Sequence, residues 1–388
     1  MKKLFSLLVL ALSFSAIFAQ QTTVALLNHE GTITTYYGSE ALVQAHKAAV
    51  HGDVITLSGG TFDAPSEWIK AVTVRGAGCY QGADNSRDVT SINGEFLLKG
   101  DKTIETATIF EGLNFKADFN YSTASNGGGT FPVCLKNVTF LKCYFKKMEK
   151  IGLNTNFYNC IIEGISFAAT TDCNANINMF NCYVVRPQAK NQYCSIKMTN
   201  CIINCHKYSS SALSSHTFYN DDFQYVSCSN CIFTGNMQSY KSSLPSDYSL
   251  STTCTAKNCL SCFCIYTPAV DNDVETIDAV YDYNIFENMG GNASSNSYLT
   301  EGKPITETIK SVFKTYNGTD AFSFNEFYEL TDEAKATYIG TDGTQIGIHG
   351  GIGFDLIPST LQITKCEIAP RSTSDGKLSV SIEVGIPE

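Results

Sequence analysis

Sixteen cysteines, a handful of basic side chains and one pair of adjacent acids carry most of the reactive chemistry this 388-residue chain could perform. Cys228-x-x-Cys231 and Cys259-x-x-Cys262 together offer four thiolates, but the stretch between them exceeds the spacing of a zinc ribbon, so no metal is assigned to them. Arg186, Lys190, His206, Lys207 and His216, with the amide of Asn236, are groups that hold carboxylate or sulfate or supply a base. Asp221 and Asp222 are the single acidic pair of the central region, where an exposed loop explains them without catalysis. Tyr208 and Tyr225, among Tyr193, Tyr219 and Tyr240, add rings on which an apolar or sugar surface could stack.

What positions these groups is a repeat hidden in the cysteines. Asn or Lys, then cysteine, then an apolar residue recur as Lys142-Cys143-Tyr144, Asn159-Cys160-Ile161, Asn181-Cys182-Tyr183, Asn200-Cys201-Ile202, Asn230-Cys231-Ile232 and Asn258-Cys259-Leu260. The cysteines are 17, 22, 19, 30 and 28 positions apart. Around each, short apolar or alternating runs bounded by Asn, Ser, Gly and Asp give a strand signal. Repeats of this length built from strand, turn and strand predict the coils of a parallel β-helix. Equivalent residues of successive coils then sit about 4.8 Å apart, and the cysteines become an interior ladder of compact apolar side chains. The Asn residues either face away or sit at a bend. Leu113-Asn114-Phe115 reads as an earlier turn and Tyr283-Asn284-Ile285-Phe286 as a later one, with the largest loops at 205–225 and 236–253. Counted from the cysteine column, Arg186, His206, Lys207 and Asn236 emerge side by side, with Lys190 and His216 on nearby loops.

Compartment and partners follow from the ends and the charge. Lys2-Lys3, an apolar run from Leu4 to Phe18 and Ala19 form a secretory signal peptide over residues 1–19, which places the mature chain outside the cytoplasm: secreted, periplasmic or on the cell surface. No other segment is long and apolar enough to span a membrane. At 43% hydrophobic and 16% charged the chain has ample material for a core, and a net charge of −10 argues against nucleic acid as a partner.

An N-terminal cap is legible before the first coil. Ser39 can cap a helix over roughly Glu40 to Val50, with Ala41, Ala45, Ala48 and Ala49 on its small apolar face and Gly52 as its stop. Then come Gly52-Asp53-Val54-Ile55-Thr56-Leu57-Ser58-Gly59-Gly60-Thr61-Phe62 and Ile69-Lys70-Ala71-Val72-Thr73-Val74-Arg75-Gly76-Ala77-Gly78. Residues 39–78 resemble the opening coil of the pectin-lyase-like, right-handed parallel β-helix proteins. The resemblance implies an all-β fold: a right-handed parallel β-helix with its N-terminal capping helix over residues 20–295, and a small β-rich C-terminal cap with an appended β element over 296–388. Gly340 to Gly351 resembles the closing segment of exported β-helix proteins of the Bacteroidetes type. In the C-terminal region Phe327 to Ala336 reads as a short helix, and Lys377 to Val384 as a strand after an Asp375-Gly376 turn.

Enzymes with this fold divide into polysaccharide lyases, which hold Ca²⁺ in an acidic cluster beside an Arg or Lys base, and glycoside hydrolases built on Asp residues of adjacent strands. Neither set is complete here, since no successive coils each contribute a carboxylate after the cysteine. The expectation is therefore an exported, non-catalytic protein that binds a polysaccharide or another cell-surface component through its lateral face and central loops, with no cofactor. The alternative is a lyase or hydrolase of acidic polysaccharide using Asp221, Asp222, Arg186 and His206, and Ca²⁺ would enter only with the lyase chemistry. A purely structural or adhesive protein has the same sequence signature.

Overall fold

The computed structural model describes residues 23–81, 88–126, 129–151, 153–167, 175–185, 187–188, 194–204, 217–219, 225–233 and 236–238, strand segments between 253 and 299, and 312–315, 322, 328–340, 342–359, 362–368 and 380–385. The chain winds as a parallel β-helix. A first sheet of 12 strands runs from the antiparallel pair Thr32–Tyr37 and Val24–His29 into ten parallel strands, Val54–Leu57 through Val280–Asp282. A second parallel sheet stacks Gly60–Asp63, Thr90–Asn93, Leu113–Tyr121, Tyr144–Ile151 and onward to Tyr298–Leu299. Each coil of the anticipated architecture is present from the first to the last strand segment described.

Each coil also carries a third strand that the sequence pattern did not reveal. Phe96–Leu98, the second halves of Leu113–Tyr121 and Tyr144–Ile151, Ile165–Phe167 and Pro187–Gln188 pair in succession. Thr217–Tyr219 pairs with Asn236–Gln238 in the same sense, so the spans 205–225 and 236–253 are not plain loops.

The bend between first and second sheets explains the repeat. Lys142, Asn159, Asn181, Asn200 and Asn230 all take left-handed backbone, with φ from 51° to 54°. Asparagine tolerates that region better than other side chains, which is why it recurs one place before each cysteine. The following cysteines, Cys143, Cys160, Cys182, Cys201 and Cys231, are wholly buried in one core cluster. Each thiol donates to the carbonyl two residues back, Cys160 to Tyr158 O at 3.3 Å and Cys201 to Thr199 O at 3.3 Å. Two coils depart by one residue from the register the sequence suggests. Gly112, at φ 66°, takes the bend of the earlier coil and Leu113 the cysteine place, so Asn114 is one residue past the Asn column. Ile285 pairs with Leu260, the residue after Cys259, so that coil is likewise shifted by one.

Aromatic rings fill the wide part of the core. Phe110, Phe140 and Phe157 are in register on the first sheet and stack at 5.3 and 5.2 Å, while Phe115 and Phe145 stack at 4.8 Å. The N-terminal end is closed by the Val24–Tyr37 hairpin and by helix α1, Ala41–Ala48. Its N-cap is Glu40 with no side-chain bond, not Ser39; the Gly38 carbonyl receives Ala41 N–H at 3.0 Å instead. Leu42 and His46 join Ala41, Ala45 and Ala49 in burial, and Ala48 is exposed. His46 stacks on Trp68 at 4.2 Å, and burial, reinforced by Lys70, lowers its pKa to about 4.

The C-terminal region lies along the flank of the stack. Helix α2, Asp332–Thr337, shorter than the sequence suggested, is capped by Thr331 Oγ1, which receives Ala334 N–H at 3.2 Å. Val312, Phe313, Phe322, Tyr328, Leu330, Ile346, Ile348 and Leu356 form a second core with Ile161, Tyr183, Ile202 and Ile232, the outward residues of the second sheet. Those strands are apolar on both faces because both are covered. Gln362–Ile368 and Val380–Gly385 form an antiparallel pair, the appended β element.

Candidate functional site

The three flanks of the helix differ in what they leave open. On the second sheet, the chain from Gly340 to Ser359 runs down the bend column against the coil order. Gly347 N–H donates to Asn230 O at 2.8 Å, and Asn181 Nδ2 donates to Ile348 O and Gly350 O at 2.7 and 2.5 Å. Lys142 meets Asp355 at 2.6 Å, and Ser359 gives both its N–H and its hydroxyl to Glu111 Oε1 at 2.8 and 2.5 Å. Gly351, at φ 59°, lies so close to Asn200 that a Cβ would strike the Asn200 amide. The bend column is therefore occupied by the chain's own tail.

The third flank carries a charged cluster around Lys147. Lys147 pairs with Glu149 at 2.5 Å and Asp118 at 3.1 Å, and these two carboxylates raise its pKa, Glu149 foremost. A lysine acting as proton-abstracting base needs the opposite shift. Burial, followed by the Glu163 carboxylate beside it, likewise raises Tyr144. Burial also pushes the thiols of Cys143 and Cys182 upward. Burial raises Cys201 as well, while hydrogen bonds from Cys182 and Cys231 pull it the other way. The whole column has zero exposure, so these sulfurs are out of reach of any substrate in solvent.

Among the described residues, nothing covers the outer face of the first sheet. Its outward column reads Thr139, Asn156, Asn178, Lys197 and Ser227 on successive coils. Asn178 Nδ2 donates to Asn156 Oδ1 at 2.9 Å and Asn156 Nδ2 to Thr139 Oγ1 at 3.5 Å. A parallel chain runs two residues away, from Asn176 to Asn154 at 3.5 Å and from Asn154 to Asn137 at 3.4 Å. On the other side Tyr158 and Phe180 stack face to face at 5.0 Å with an interplanar angle of 8°. Asn154, Asn176 and Lys197 are exposed, and Asn156, Asn178, Tyr158 and Phe180 are half-buried. An amide in such a chain spends one N–H and one lone pair along the stack and keeps a second of each. The result is a shallow platform of paired donors and acceptors beside an aromatic surface, with a cation at one end.

Arg186, Lys190, His206, Lys207, Tyr208, His216, Asp221 and Asp222 lie outside the described residues, so the expected basic patch and acidic pair are not placed. Tyr225 opens a first-sheet strand in register with Ser195, and Asn236 opens a third-flank strand in register with Thr217; their side chains too lie outside the described set. Among the described residues no three His, Cys, Asp or Glu side chains form a metal-binding group, and no helix is long and apolar enough to cross a membrane. The platform asparagines were missed, although a signal existed: Asn154 to Asn176 and Asn156 to Asn178 repeat the 22-residue step of Cys160 to Cys182.

Taken together, these flanks and their stacked sheets define a parallel β-helix protein. No protein-family model matches the chain, and no curated protein matches it. Among solved structures it is similar to the crystal structure of the pectin methylesterase from Aspergillus niger, at 13% identity over 69% of this chain and 87% of that one, with a TM-score of 0.26.

Proposed function

We propose that this is an exported β-helix protein that binds a polysaccharide or another cell-surface glycan on the outer face of its first sheet without turning it over. The observation supporting this reading is the pair of amide chains through Asn156 and Asn178 and through Asn154 and Asn176, flanked by the stacked rings of Tyr158 and Phe180. Sugar hydroxyls pair with amides as donor and acceptor at once, and the apolar faces of sugar rings lie on aromatic surfaces. Arg186, His206 and Lys207 are cations that could add contacts to anionic groups of such a glycan. Export follows from the signal-peptide pattern of residues 1–19.

The test is affinity electrophoresis of the mature chain on pectins, alginates, glycosaminoglycans and neutral glycans, with and without Ca²⁺, beside assays for unsaturated products and new reducing ends. Retention without turnover is expected. Asn156→Ala with Asn178→Ala should weaken it about tenfold or more, since each lost hydrogen bond contributes about 1 kcal/mol. Retention untouched by the double substitution would overturn the platform, and new chain ends would establish the lyase or hydrolase instead.

A further inference from the structure

The first sheet ends on the strand Thr32–Tyr37, and nothing among the described residues pairs with its outer edge. An open edge of this kind is ordinarily blunted by proline, lysine or a bulge. Thr32-Ile33-Thr34-Thr35-Tyr36-Tyr37 has none of these, its register with Val24–His29 is regular throughout, and Ile33 and Tyr37 are 62% and 65% exposed.

The direction of each backbone group follows from two bonds. Gly38 N–H donates to Thr23 O at 2.8 Å, and Ser58 N–H to Val24 O at 2.9 Å. In an antiparallel pair hydrogen-bonded and non-bonded positions alternate, so Tyr36, Thr34 and Thr32 turn their N–H and C=O groups toward Val24–His29. Ile33, Thr35 and Tyr37 turn theirs outward. The same three residues also present their side chains on the outer face, because Ala25 and Leu27 opposite Tyr36 and Thr34 face the core and Leu26 opposite Thr35 does not.

We propose that this edge pairs with the same edge of a second copy of the chain, antiparallel about a two-fold axis perpendicular to the sheet. One register satisfies every outward group: Thr35 opposite Thr35, and Ile33 opposite Tyr37 twice. Each is a hydrogen-bonded pair, and each Ile33 side chain lies against the partner's Tyr37 ring, the aromatic and β-branched combination that stabilises cross-strand pairs. Any two-residue slip leaves one of the three residues unpaired. The strand itself is uncharged; Glu30 and Glu40 fall opposite each other beyond its ends as a modest cost. A perpendicular axis keeps both outer faces on one side, so the first sheet continues across the dimer. The Asn156 platforms of the two copies then stand roughly 60 Å apart, thirteen strand spacings of about 4.8 Å, facing the same surface. A single six-residue strand pair is small by interface standards, so the dimer forms in the micromolar range rather than as an obligate assembly.

Sedimentation equilibrium of the mature chain over increasing concentration measures the pairing, and Thr35→Pro tests its register. The Thr35 N–H points away from Val24–His29, so proline there removes edge bonds and keeps the hairpin. The parent should dimerise, and Thr35→Pro should weaken the dimer at least tenfold with its melting temperature unchanged. Ile33→Lys, which leaves the backbone intact, should do the same. A parent that stays monomeric to high micromolar concentration, or variants that dimerise as the parent does, would overturn the proposal.

Discussion

The first and second sheets are built from the same coils, at the same spacing, and meet opposite fates on their outer faces. Outward residues of the second sheet are Ile161, Tyr183, Ile202 and Ile232, and the C-terminal region covers them. At the corresponding outward places of the first sheet stand Asn156, Asn178, Lys197 and Ser227, and the face stays open. Strand geometry is indifferent to this choice; one side chain per coil decides it. The lesson is that a stacked fold separates structural from functional work by flank. Apolar outward ladders recruit the chain's own tail, and amide ladders remain available to something else.

The sharpest way to break that contrast is to exchange the two chemistries. Ile202, with no exposed surface, is sandwiched between the coil and the tail. Ile202→Asn loses its burial and leaves an amide without partners, a destabilisation of about 3–5 kcal/mol. Asn178→Thr on the open flank should change stability by less than about 0.5 kcal/mol while weakening glycan retention. Urea unfolding of the two variants measures the difference, and equal losses would show that the flanks are energetically alike.

A smaller effect separates the bend from its cover. Asn181 holds left-handed backbone at φ 51° and donates to both Ile348 O and Gly350 O. Asn181→Ala strains the backbone and leaves those carbonyls unpaired, costing about 2–3 kcal/mol, whereas Asn181→Gly keeps the backbone free and costs about 1–2 kcal/mol. Thermal melts of the pair, with limited proteolysis of the tail, distinguish the two contributions. If the glycine variant is as stable as the parent, the tail contacts at this bend contribute nothing.

How far the fold can be read from sequence depended on how strictly geometry constrains each position. The bend admits few residue types, so Asn159, Asn181, Asn200 and Asn230 mark it, and the cysteine after each has room only for a small apolar side chain. Where glycine replaced asparagine, at Gly112, the same rule misaligned the coil by one residue. The third strand left no trace because Ile165–Phe167 and Pro187–Gln188 are too short for alternation to register. The tail is a single passage along the flank with no repeat of its own, so nothing announced that Ile348 and Gly350 would meet Asn181. The platform was hidden for a different reason. Asparagine at 156 and 178 carries the same coil spacing as the bend asparagines, and only the left-handed φ of the latter tells the two uses apart.

Acid provides the gentlest test of the contrast, because only the covered flank depends on a carboxylate. Asp342 accepts Thr344 N–H and Oγ1 at 3.0 and 2.8 Å. Burial alone would raise its pKa, but these two bonds and one from Asn200 outweigh it and hold it below the ordinary 3.8. A carboxyl depressed in the folded state stabilises fully above its unfolded value, and that stabilisation is lost as pH falls through the still lower folded value. Asp342 is largely solvated, so its contribution at neutral pH is under about 1 kcal/mol. The urea midpoints of the parent and Asp342→Asn should therefore differ slightly at pH 7 and converge below pH 3.8. The platform's asparagines and threonine do not titrate, so glycan retention by the intact protein should be level between about pH 5 and 8. A platform whose retention fell across that interval would have to draw on the histidines of the central loops, and the open flank would no longer be sufficient by itself.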